Sequence, residues 1–210
     1  MAEPRFQRRK EDRPAEITEA AMQAFADNGY SGTRVDDVAK RAGVSKGLLY
    51  LYFKTKEDLF KAVIRSFVSP QIDQLTRNVA DSELSAEDFL RGPFREFAKF
   101  VPRSPARILV RLMIAEGPKH PDLMAWYWEN VVSRGIAALR RLIRRGIDAG
   151  EFRESALEDY PQLLVAPIFF AIIFRQLFDS YAELDVDNYV DAHIDTVVRA
   201  LKVSPQGESQ

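Results

Sequence analysis

The sequence predicts an all-α protein of about nine helices, a small N-terminal three-helix domain followed by a larger C-terminal helical bundle. Three observations predict it. Apolar residues recur at helical spacing along most of the chain, and no stretch alternates convincingly as a strand would. Capping residues and turn-forming glycines punctuate the N-terminal part at short intervals. The hydrophobic content, 46% of 210 residues, suffices for one small core and one larger one. The expected division is 1–55, 56–203 and a polar tail, 204–210, expected to be disordered.

The first helix carries an apolar stripe of Ile17, Ala20, Ala21, Ala24 and Phe25, and Asn28-Gly29 supplies its stop. Ahead of it, Arg5-Phe6-Gln7-Arg8-Arg9-Lys10 is a basic arm, suited either to reach phosphates or the minor groove or to act as a solubilising terminus. It lacks the apolar core of a signal peptide and is expected to stay on the protein. Thr33 and Asp36 have the spacing of a capping box for the second helix. Val35, Val38, Ala39 and Ala42 then form one apolar face. Gly43 sits where a helix end wants a left-handed residue. Ser45 is a good N-cap for the third helix, with Val44 and Leu49 spaced as a hydrophobic staple, and Thr55 with Asp58 repeats the capping box for a fourth.

Two short helices joined by the turn Ala42-Gly43-Val44-Ser45 have the layout of a helix-turn-helix, whose second helix lies in the major groove of DNA. Leu49 and Phe53, four apart, should point inward with Val38. Lys46, Gly47, Leu48, Tyr50, Leu51 and Tyr52 are left for solvent or DNA. Tyr hydroxyls can donate to phosphates and Leu can touch a thymine methyl. The alternative is a plain helical hairpin with these aromatics in its core.

Charge agrees. Through Lys56 there are eleven basic and eight acidic residues, a net of +3, whereas the whole chain is −1, leaving −4 for the remainder. Binding to DNA would come from one local basic face and weaken with salt. No cysteine is present, which excludes disulfides and thiolate metal sites. His120 and His193 are far apart without ligand-like spacing. No nucleophile or phosphate-loop motif stands out, so no catalytic residue, metal or cofactor is expected and an enzyme is the least favoured class. The longest apolar run, residues 163–174, has twelve residues and contains Pro167. A span needs about twenty, so no membrane role and a cytoplasmic location are expected.

The segment AFADNGYSGTRVDDVAKRAGVSKGLLYLYFKTKEDLF, residues 24–60, resembles the TetR family of bacterial transcriptional regulators. The Gly-x-x-x-Thr lead-in, the Ala-Gly-Val-Ser turn and the Leu-Tyr-x-x-Phe-x-x-Lys run occur in order. The resemblance is close over roughly the first 60 residues and rests on helical layout beyond them. It implies phosphate contacts from Thr33, Ser45, Tyr50, Tyr52 and Lys56. It implies base or groove contacts from Arg34, Lys46, Gly47, Leu48 and Leu51, although Leu48 and Leu51 stand where polar residues are often found.

Beyond Phe60 the expected helices are 56–67, continuing to 79 with a bend at Pro70, then 86–101 with an irregularity at Gly92-Pro93, 103–116, 121–149, 156–181 and 186–203. A looser likeness of 114–123 to one branch of TetR-type effector domains serves only to place two of these helices. The resemblance implies that the last two, the eighth and ninth, form a homodimer interface, and dimers suit palindromic operators with half-sites a whole DNA turn apart. An effector cavity, mostly apolar with a few polar groups, would draw on Phe94, Phe97, Met113, Glu116, Trp126, Tyr127, Phe170, Phe174 and Arg175. Arg175 suits a ligand carboxylate or, as is commoner, a capped core ion pair or an interface salt bridge. The expectation is a dimeric DNA-binding repressor released by a small apolar or aromatic effector, the alternatives being control by a protein partner or an enzyme in the bundle. The effector, the operator and the choice between repression and activation are not legible.

Overall fold

The computed structural model describes residues 5–203, with side chains described from residue 13 onward. The expectations for the basic arm's side chains and for the tail therefore lie outside the described residues. Helices account for the fold: α1 Arg5–Gly32, α2 Val35–Arg41, α3 Lys46–Tyr52, α4 Lys56–Phe67, α5 Ser69–Asp81, α6 Ala86–Phe89, α7 Arg95–Phe100, α8 Ala106–Glu116, α9 Pro121–Tyr127, α10 Ser133–Asp148, α11 Ala156–Asp159, α12 Gln162–Phe178 and α13 Val186–Leu201. Among the described residues the sole β element is an isolated bridge, Phe152 with Lys202. The chain is all-α, as expected, with several expected helices delivered in two pieces.

The pieces have local causes. The expected 156–181 helix breaks at Tyr160, whose φ of −119° and ψ of 62° are non-helical. Pro161 explains it, because a proline pushes the preceding residue out of the helical region. The expected 86–101 helix contains a π turn, Leu90–Phe94, around Gly92-Pro93, where proline lacks the donor for an ordinary helical bond. A second π turn, Trp128–Val132, interrupts the stretch from α9 to α10. Conversely α1 starts at Arg5, so its backbone takes in the segment expected ahead of the first helix, and it passes through Pro14 with the Thr18 hydroxyl donating to the Pro14 carbonyl at 2.6 Å.

The described residues divide into two compact units, one running to residue 70 and including 108–126, the other comprising 71–107 and the residues from 127 onward. This differs from the expected boundary at 55/56: α4 and α8 belong with the N-terminal helices. In the first unit Ile17, Phe25, Leu49, Leu59, Phe60 and Ile64 are fully buried. Phe25, Tyr30 and Phe60 pack ring against ring, at centroid separations of 5.0 to 5.7 Å.

In the second unit the core includes Phe89, Leu90, Phe94, Leu139, Leu142 and Val198. Gly146 on α10 is there for space: a Cβ would lie 2.3 Å from the Phe152 ring and 2.8 Å from the Ala86 methyl. Along α7 and α13 runs a ladder of ion pairs at four-residue steps. Arg91 pairs with Asp195, Arg95 and Lys99 with Asp191, and Arg103 with Asp187. These pairs lie at the surface, so each contributes modestly, about 0–1 kcal/mol.

Candidate nucleic-acid interface

The turn between α2 and α3 is built from the backbone. Ala42 closes α2 onto Val38 O at 2.9 Å, Gly43 (φ 65°) donates to Lys40 O at 3.2 Å, and Val44 donates to Ala39 O at 3.0 Å. This is a Schellman motif, and glycine is the residue that adopts its left-handed position at low cost. Ser45 then caps α3, its hydroxyl accepting from Leu48 N at 3.1 Å. Thr55 and Asp58 form the complete capping box that starts α4.

On α3, Leu49 is fully buried and anchors the helix, while Phe53 is half-buried. Ser45, Lys46 and Gly47 are exposed, Leu48, Tyr50 and Tyr52 are half-buried, and Leu51 is 64% exposed. Arg34, which precedes α2, is exposed as well. An exposed leucine in the last turn of a seven-residue helix is unfavourable in water and suits a surface awaiting a partner. Lys46 lies 2.8 Å from Asp36 Oδ1 and 2.9 Å from Oδ2, and 5.9 Å from the Tyr50 ring centroid. This hydrogen-bonded carboxylate raises the ammonium's pKa above the ordinary lysine value.

Two expected contacts take another role. Thr33 caps no helix: the residue flanking α2 is Arg34, which makes no side-chain cap bond. Thr33 is buried instead, its hydroxyl donating to Ala24 O at 3.0 Å and Gly29 O at 2.7 Å. The reason is Gly29, whose left-handed φ of 72° interrupts α1 and leaves carbonyls needing donors. Lys56 meets the same need. Its ammonium donates to the carbonyls of Tyr30, Ser31 and Thr33 at 3.0, 3.3 and 3.3 Å and lies 4.7 Å from the Tyr30 ring centroid. An ammonium has three donors, and each has a carbonyl here. Thr33 and Lys56 therefore hold the end of α1 together.

Spacing alone did not reveal how α8 joins the same end. Arg111 donates to Ala26 O at 2.5 Å. Glu116 accepts from the Ser31 hydroxyl, and His120 packs edge-on against Tyr30 with centroids 4.6 Å apart. The Ser31 hydrogen bond, with Lys119 and His120 nearby, holds the Glu116 carboxyl below the usual range. Ser31 and Glu116 are 85 residues apart in sequence, beyond the reach of any spacing rule.

The expected effector residues fall into several groups. In the first unit, Met113 lines an apolar depression of about 520 Å³ with Ile114, Gly117, Pro118, Pro121 and Met124. Glu116 points to Ser31 instead, and Trp126 lies against Lys61 and Arg65, 5.6 and 5.1 Å from its ring. In the second unit, Phe94 is fully buried beside Phe97, their centroids 6.1 Å apart. Burial pushes the Tyr127 phenol up to about 12. Phe170 and Phe174 pair on α12, with Phe170 51% exposed. Arg175 makes a local, partly exposed pair with Asp179 at 3.5 Å, one helical turn on. Leu163, Phe170, Ile173, Leu177 and Tyr181 leave a long uncovered apolar stripe on and just beyond α12.

Residues 17–63 match the profile of bacterial regulatory proteins of the tetR family, and residues 79–197 that of tetracyclin repressor-like C-terminal domains. The fatty acid metabolism regulator protein of Bacillus subtilis is 26% identical over 148 residues, covering 69% of this chain and 74% of that protein. Among solved structures, the regulator FadR from Bacillus subtilis in complex with stearoyl-CoA superposes with a TM-score of 0.73 at 21% identity, over 89% of this chain and 98% of that one. A choline-bound regulator from Saccharomonospora viridis gives a TM-score of 0.74 at 21% identity, over 93% and 100%.

Proposed function

This chain belongs to the TetR family of bacterial transcriptional regulators, and from that premise we propose that it is a homodimeric repressor which an apolar effector removes from a palindromic operator. That it is a DNA-binding transcriptional regulator follows from the family itself. The reading face consists of Arg34, Ser45, Lys46, Gly47, Leu48, Tyr50, Leu51 and Tyr52, with Thr33 and Lys56 acting from behind it. One observation carries this: α3 is capped at its start, anchored by one buried leucine, and turns Leu51 fully outward. Leucine and tyrosine on this face favour thymine methyls and phosphate oxygens over bidentate base recognition.

The dimer uses α12 and α13. The uncovered stripe on α12 is too long and too apolar for a helix left in water, and a second copy is the cover consistent with the family. Among the described residues no helix is long and apolar enough to cross a membrane, and a role on DNA supports a cytoplasmic location.

For the effector, the depression beside α8 has the apolar lining and the size of a small-molecule site. The helix that contributes Met113 and Ile114 to it also holds the end of α1 through Arg111 and Glu116. An occupant that shifts α8 would thus act on the reading domain through those bonds, and a coupling of about 1–3 kcal/mol is enough for induction. The acyl-CoA named with the Bacillus neighbour makes alkyl-chain compounds the first class to try. Duplexes recovered by in vitro selection should be released by members of an acyl-CoA and aromatic panel in fluorescence anisotropy. Stable binding to selected DNA through the whole panel would count against the effector assignment and leave the DNA reader standing.

A further inference from the structure

Lys46 is the only cation in α3, whose sequence is KGLLYLY, and it is not free. Asp36, in the first turn of α2, holds its ammonium with both carboxylate oxygens, at 2.8 and 2.9 Å. Both side chains are well exposed, 59% and 58%, so the pair stands on the reading surface in water. We infer that Asp36 is a specificity-determining residue: its carboxylate neutralises the reading helix's cation and selects against DNA that offers phosphates alone. The inference rests on the DNA-reading role of α3 and on neither the effector nor the dimer assignment.

The argument is electrostatic. Binding to arbitrary duplex derives its free energy from cations that meet phosphates and release counterions. A lysine already held by a carboxylate contributes little until the pair parts, and the carboxylate left behind repels the same phosphates. An exposed pair of this kind is held weakly, screened by water and salt, so Asp36 biases binding without blocking it. A sequence that also engages Leu48, Tyr50, Leu51 and Tyr52 supplies contacts that offset the parting of the pair. Arbitrary sequence does not. The pair thereby enlarges the gap between the two.

Asp37 provides the control. It lies in the same first turn of α2 and shares any favourable effect of a carboxylate at a helix N-terminus, but the ammonium of Lys46 sits on Asp36. The experiment compares the full chain with its Asp36→Asn, Asp37→Asn and Lys46→Gln variants. Each is titrated with a mixed-sequence duplex and with a duplex recovered by in vitro selection, across a range of KCl concentrations.

Asp36→Asn should tighten mixed-sequence binding by roughly three- to tenfold and steepen the salt dependence by about one unit of log K per log salt per protomer. It should tighten the selected duplex less, so that discrimination falls. Asp37→Asn should change both duplexes less than Asp36→Asn does, and by a common factor. In a Lys46→Gln background the Asp36→Asn step should be smaller, because it then removes the carboxylate's own repulsion of phosphates and frees no cation. Equal tightening of both duplexes, an Asp37→Asn effect as large as that of Asp36→Asn, or an undiminished effect without Lys46 would each overturn the inference. Binding of the selected duplex by the unaltered chain checks the DNA-reading role separately.

Discussion

Lys46 and Lys56 stand at the same position in consecutive helices, each directly after the hydroxyl residue that caps the helix, and they end in opposite surroundings. A cation at a helix N-terminus faces the positive end of the macrodipole, so it gains by finding negative partners nearby. Lys56 finds three carbonyls at the interrupted end of α1 and becomes a strut of the domain. Lys46 finds one exposed carboxylate and stays at the surface. The difference lies in the neighbouring chain: Gly29 breaks α1 beside Lys56, and an intact α2 flanks Lys46. Whether a lysine at such a position is tied to main-chain carbonyls or left at the surface is therefore set by what the adjacent segment leaves unsatisfied.

The largest test of this contrast is Lys56→Met. Removing three charge-assisted bonds and orphaning their carbonyls should cost about 2–4 kcal/mol in denaturant unfolding. Lys46→Met should stay within about 0.5 kcal/mol of the unaltered chain. Similar losses in the two variants would break the comparison. A smaller effect should appear in binding. Lys46→Met should weaken association with selected DNA about tenfold, roughly 1.4 kcal/mol, and lower the salt slope by about one per protomer in anisotropy titrations. An unchanged slope would mean that Lys46 stays with Asp36 in the complex.

The smallest effect separates carbonyl-held from carboxylate-held cations by acid. In the α7–α13 ladder, the Arg95 and Arg103 guanidinium groups hold Asp191 and Asp187 below the ordinary aspartate range through hydrogen bonds. Carboxylates lowered in the folded state stabilise it above their unfolded value, near ~4, and lose that contribution as pH falls through the lowered folded values. Urea midpoints should thus be flat in this respect from pH 8 to 5 and decline below about 4. The Lys56→Met deficit should keep its size across that range, because carbonyls do not titrate. A deficit that shrank with the ladder in acid would show that the Lys56 site depends on carboxylates as well.

Much of the N-terminal half was legible because its signals are local. The Asn28-Gly29 stop, the Gly43 turn, the Ser45 cap and the Thr55–Asp58 box each depend on residues within four positions of one another. Thr33 shows the limit. Its spacing to Asp36 fits a capping box, but the carbonyls of Ala24 and Gly29 are better acceptors for a hydroxyl buried beside them. The partners of Lys56 and Ser31 were out of reach for a different reason, since they join segments 23 to 85 residues apart. In the C-terminal part apolar composition announced helices without saying which faces would be covered. Phe94 and Phe170 look alike in sequence, yet one is fully buried and the other half exposed.

The turn from α2 to α3 has a further consequence. Its three closing bonds join main-chain atoms, the cap uses Ser45 and the buried Leu49 anchors the helix, so neither Gly47 nor the exposed Leu51 is needed to aim it. The outward positions are therefore an exchangeable cassette on a fixed mount. Gly47 and Leu51 can be varied together in a library without retuning the hinge that presents them, and new target preferences can be sought on an unchanged frame.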